Sequence, residues 1–112
     1  VADHAENLAD DLRVWASTES GPVRAAVELL ILEGWHRRRD FTRACVHDDA
    51  GVPWIRWYEA RDFHTSNPRA SSTELAILDL AVALAEDRFR LSSMGHAHRQ
   101  WIADAVRQAV GL

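Results

Sequence analysis

The chain has 112 residues, 47% of them hydrophobic, and a formal net charge of −4. That length predicts one domain, 1–112; the apolar share excludes global disorder, and the acidic balance argues against a general binder of nucleic acid or anionic membranes. The single cysteine, Cys45, excludes an internal disulfide, and there is neither a signal peptide nor an apolar span, so a soluble, cytoplasmic protein is expected.

All 13 basic residues are arginine. With abundant alanine, this reads as the codon bias of a GC-rich genome more readily than as selection for the planar guanidinium. Val at position 1, where Met would start a chain, points to processing, trimming or excision from something longer.

Residues 4–17 read as a first helix, with Leu8, Leu12 and Trp15 at i, i+4 and i+7. A break at Thr18 to Gly21 precedes a second helix with Pro22 as its first residue and Ser20 or Gly21 as its cap. Val23, Ala26, Val27, Leu30 and Ile31 form its apolar stripe; Gly34 weakens it, and its end is expected around Trp35 to Arg38. Arg37, Arg38 and Arg39 then suit the negative end of the helix macrodipole.

Residues 40–65 admit two readings. Asp40 caps a short helix 40–47, followed by a turn, an extended piece at 53–56 and a helix 57–65. Alternatively Phe41 to Val46 is a strand, Asp48 to Gly51 a hairpin turn, and Val52 to Trp57 the returning strand, with Pro53 tolerable only at an edge. In the helix 57–65, Trp57, Ala60 and Phe63 or His64 are spaced to be buried together.

Pro68 blocks helix upstream, and Ser71-x-x-Glu74 has capping-box spacing. From Leu75 to Ala85 only Asp79 is polar, so a helix over 72–87 is expected at the centre of the fold, sheathed by the others. The run is far short of the ~20 residues a bilayer needs. After a connection over Arg88 to Met94 and a break at Gly95, residues 96–110 form an amphipathic helix. Its stripe is Trp101, Ile102, Ala105, Val106, Ala109 and Val110, and Gly111 is its stop. The expected fold is mainly α: an orthogonal bundle of five to six helices around helix 72–87, with room for one short β-hairpin within 41–57.

Three stretches together resemble small uncharacterised actinobacterial proteins, some carried by phages and mobile elements. These are Trp35 with its basic run into Asp40-Phe41-x-Arg43-Ala44-Cys45-Val46, then Trp54-Ile55-x-Trp57, then Pro68-Arg69-Ala70-Ser71-Ser72-x-Glu74-Leu75-x-Ile77-Leu78-x-Leu80-Ala81, with Ser71 to Leu84 as the core of the likeness. The likeness extends over roughly residues 27–110. It implies a mainly helical fold and an accessory role in such elements, and it transfers no reaction or ligand to any residue.

Chemistry-bearing motifs are sparse. His96-x-His98 is the nearest approach to a zinc motif, but zinc takes three or four ligands and i, i+2 positions diverge on a helix. His47-Asp48-Asp49 lacks calcium-loop spacing and reads as turn residues beside Gly51. Cys45, flanked by Arg43 and His47, reads as a buried structural cysteine before it reads as an activated thiol. No catalytic set, cofactor motif or small-molecule substrate site is evident. What stands out is five tryptophans, Trp15, Trp35, Trp54, Trp57 and Trp101, and the arginine cluster. Trp and Arg are enriched in binding hot spots. The chain therefore reads as a non-enzymatic protein-interaction module, self-associating or with a protein partner. Its candidate interface is Trp35, Arg37, Arg38, Arg39, Arg43, Trp54 and Trp57. The alternative is a small nucleic-acid-binding regulator using Arg37 to Arg43.

Overall fold

A computed structural model describes residues 4–112; the first three residues of the expected 1–112 domain, Val1 included, lie outside the described residues. Six helices and one hairpin follow in the order α1 (His4–Ala16), α2 (Gly21–Glu33), a 3₁₀ turn (Trp35–Arg37), α3 (Arg39–Cys45), β1 (Val46–Asp49), β2 (Val52–Ile55), α4 (Trp57–Thr65), α5 (Ser72–Ala85), a 3₁₀ turn (Leu91–Ser93) and α6 (His96–Ala109). The fold is mainly α with one short antiparallel hairpin, and among the described residues no helix is long and apolar enough to cross a membrane.

Local signals set the boundaries. The Ser20 side chain caps α2, with Pro22 in its first turn. Gly34 ends α2 earlier than the Trp35 to Arg38 expected. It takes the left-handed conformation at φ 91°, and its N–H closes onto Leu30 and Ile31 carbonyls. The chain turns there and drives Trp35 inward.

Both readings of residues 40–65 contribute. Phe41 and Cys45 lie one helical turn apart, so α3 buries both, and the strand begins only at Val46. The hairpin pairs Asp49 with Val52, leaving a two-residue turn, Ala50-Gly51, with φ of 53° and 88°. Positive φ at both positions matches the twist of the flanking strands. Counting back from the closing pair, Pro53 opposite Asp48 falls at a non-hydrogen-bonded position, where its missing N–H costs nothing.

The capping box at the start of α5 forms. Ser71 Oγ accepts from the Glu74 N–H at 3.1 Å, and Glu74 Oε1 accepts from the Ser71 N–H at 3.0 Å. Ser71→Ala should cost about 1 kcal/mol. A urea titration should show this as a lower midpoint with unchanged slope; an unmoved midpoint would refute the cap's contribution.

α5 packs along α2 and against α4, burying Leu78, Ala81, Val82 and Ala83. The expected sheath is incomplete. Ala76, Asp79 and Leu80 face solvent, Leu80 at 43% exposure. The reason is that α6 does not close over α5, so only part of its circumference is covered. α1 lies across α2 and β2, supplying Ala9, Leu12 and Ala16 to the core. At the centre, Trp35, Phe41 and Phe63 form an aromatic triad with ring centroids 5.6–6.0 Å apart in tilted or edge-on arrangements.

Candidate functional site

The fold separates the arginine cluster from the tryptophans expected beside it. Trp35 is 1% exposed, and its Nε1–H donates to the Glu74 carbonyl at 3.2 Å. It is a core residue and cannot meet a partner, which corrects its place in the expected interface. Trp54 and Trp57 are half-buried. The His47 ring stacks on Trp54 at 4.9 Å, the Arg56 guanidinium sits 5.1 Å from its ring centre, and its Nε1 is shut from solvent without an acceptor among the described residues. Trp57 packs against the core edge with Phe63 and Val46. Neither indole offers the open face an interface anchor needs.

The arginines divide in two. Arg38 is consumed by the fold: it lies 4.5 Å over Trp35, makes a two-point contact with Asp40, approaches Glu74 and donates to the Arg69 carbonyl. It ties the start of α3 to the start of α5. The same contact is the main reason the Asp40 carboxyl is held below its ordinary range. Arg37 pairs with Glu6 of α1. Arg39 and Arg43, one turn apart on α3, are exposed and have no carboxylate partner among the described residues. They border a cleft of about 660 Å³ between α1, α3 and the hairpin, whose walls also carry Asp11, His36, His47 and Asp48.

The remaining motifs have structural roles. His47 Nε2 meets Glu59, and Asp48 Oδ1 accepts from the Gly51 N–H at 2.7 Å to brace the hairpin turn. His98 lies edge-on to Trp101 at 4.8 Å. No group of three His, Cys, Asp or Glu among the described residues is placed to hold a metal. The Cys45 thiol is fully buried and donates to the Phe41 carbonyl at 3.1 Å; burial, with the Glu59 charge adding to it, pushes its pKa up. A thiol so placed is inert. Aromatic disulfide reagents should label Cys45 only as fast as the protein unfolds, and rapid labelling of native protein would overturn that reading.

An open apolar surface lies on α6. This helix has no buried residue. Trp101, Val106 and Val110 are 63%, 55% and 63% exposed. The helix leans on the body only at its beginning. There Arg99 donates to the Ser92 carbonyl at 3.2 Å, and Ile102 and Ala103 border a groove of about 580 Å³ beside Pro22, Leu84 and Leu91. The exposed tryptophan is Trp101; Trp54 and Trp57 of the expected interface are half-buried. Amphipathic spacing made the α6 stripe visible, but spacing alone suggests a buried stripe and does not reveal that the monomer leaves it open.

No family model, curated protein or solved structure matches the chain.

Proposed function

We propose that the chain is a non-enzymatic, self-associating interaction module, and that the apolar face of α6 seats on the same face of a second copy. The observation that carries this reading is the open stripe of Trp101, Ala105, Val106, Ala109 and Val110, on a helix with no fully buried residue whose Ile102 alone of the stripe is half-covered by the body. A 14-residue helix is at the margin of stability in water without tertiary packing. Burial from outside would supply what the body does not.

The area suits a reversible dimer. Trp101 at 63% exposure offers ~150 Å² of a side chain of up to about 250 Å². The exposed Ala105, Val106, Ala109 and Val110 add about 60 Å² each, so two copies would bury roughly 800 Å². That lies at the weak end of specific interfaces, where micromolar dissociation constants belong. Trp101, Ala105 and Ala109 follow one another at i, i+4 and i+8 along the exposed side of the stripe, and the alanines allow close helix approach. In a two-fold antiparallel pair, Trp101 of one copy would face an alanine of the other, large against small.

Sedimentation velocity over a concentration series from about micromolar to submillimolar tests the reading. The mass should rise from one chain to two across that range; a single chain throughout would sink it. The nucleic-acid alternative is less well supported, because Arg37 and Arg38 already face carboxylates. Arg39 and Arg43 alone fall well short of the ~6–10 phosphate contacts of strong salt-dependent binding. An accessory role in a phage or mobile element of a GC-rich bacterium rests on the sequence resemblance, and the identity of the neighbouring genes would test it.

A further inference from the structure

We propose that the cleft between α1, α3 and the hairpin binds a small phosphate monoester bearing hydroxyl groups, with Arg39 and Arg43 on its phosphate and Asp11 and Asp48 on its hydroxyls. The site is independent of the α6 surface. Its volume, about 660 Å³, lies within the range of small-molecule sites. Arg39 and Arg43 stand at i and i+4, about 6 Å apart at their Cβ atoms. Two like charges on one helix face, without a carboxylate between them, are mutually unfavourable and are relieved by a dianion. The guanidinium fork matches phosphate oxygens two at a time.

The same cleft carries two carboxylates, and they select against a polyanion. Asp11 makes no ion pair among the described residues, and Asp48 uses one oxygen on the Gly51 N–H and keeps the other. A nucleic-acid strand would bring further phosphates against both. A hydroxylated ligand would instead donate to them. The walls are pre-set: His36 is 6% exposed, and the His47 ring is held between Glu59 and Trp54. The ordering that remains to oppose binding is that of the exposed Arg39 and Arg43 side chains.

The test is a titration of the whole protein with ribose 5-phosphate, inorganic phosphate, ribose and a short single-stranded DNA, followed by backbone amide chemical shifts. Ribose 5-phosphate should shift the amides of Arg39, Arg43, Asp11 and Asp48 saturably, and bind about tenfold tighter than free phosphate. R39A and R43A, both at exposed positions, should each weaken it by about tenfold or more. The proposal is overturned by any of three results: no saturable shift with ribose 5-phosphate, binding unaffected by the double variant, or equal affinity for inorganic phosphate. Tighter binding of the DNA strand than of the sugar phosphate overturns it too, and assigns the arginines to nucleic acid.

Discussion

Trp101→Glu should leave the folded body intact and abolish self-association. Trp101 contributes nothing to the core, so the cost falls on the interface alone. Truncating a tryptophan hot spot costs about 2–4 kcal/mol, and a two-fold pair contains the residue twice. A loss of at least ~4 kcal/mol per dimer raises the dissociation constant about a thousandfold. A micromolar dimer then dissociates at every practical concentration. Arg107→Gln, on the polar face of the same helix, should leave the dimer unchanged. The monomeric variant should also lose part of the α6 helix, because a segment of this length relies on packing for its helicity. Far-ultraviolet circular dichroism would report that loss on dilution of the wild type and at all concentrations for the variant. Identical sedimentation of Trp101→Glu and wild type would show that Trp101 is not at a contact.

The features legible in the sequence are those decided within a few residues. The Ser20 and Ser71 caps and the Ala50-Gly51 turn depend on neighbours two or three positions away, and each appears where local chemistry puts it. The segment from Phe41 to Val46 was ambiguous because its apolar residues fit either period. The Trp35–Phe41–Phe63 triad settles it, since a helical turn brings Phe41 and Cys45 inward together. Trp35 is buried where composition suggests an interface, because composition carries no depth. Its indole is buried through a hydrogen bond to Glu74, 39 residues away, which no local pattern encodes. Trp35 and Arg38 therefore belong to one cation–π and ion-pair knot joining α3 to α5, although their chain positions suggested a surface cluster. For α6 the sequence pattern is amphipathic. What it could not supply was the identity of the covering surface, since a hydrophobic stripe is the same stripe whether its own core or another molecule covers it.

Phe41→Ala should be the most damaging single substitution in the body. Phe41 is fully buried and stands at the junction of the triad, 5.6 Å from Trp35 and 5.7 Å from Phe63. Deleting a buried phenyl ring removes its transfer free energy and leaves a cavity, at about 3–5 kcal/mol. The two surviving rings are too rigid to fill the space; Phe63 loses an edge-on partner and Trp35 a tilted one. A domain of this size has only about 5–15 kcal/mol in total, so about a fifth or more of its stability rests on one side chain. The effect should spread to α5, because Trp35 carries the hydrogen bond to the Glu74 carbonyl at that helix's start. Loosening Trp35 loosens the joint made by Arg38. Chemical denaturation followed by tryptophan fluorescence gives the number directly. Should Phe41→Ala prove too unstable to purify, Phe41→Leu supplies a measurable intermediate loss of about 1 kcal/mol or more, since it removes less volume. A Phe41→Ala protein within ~1 kcal/mol of wild type would mean that the triad is peripheral and that the α2–α5 contact alone holds the fold.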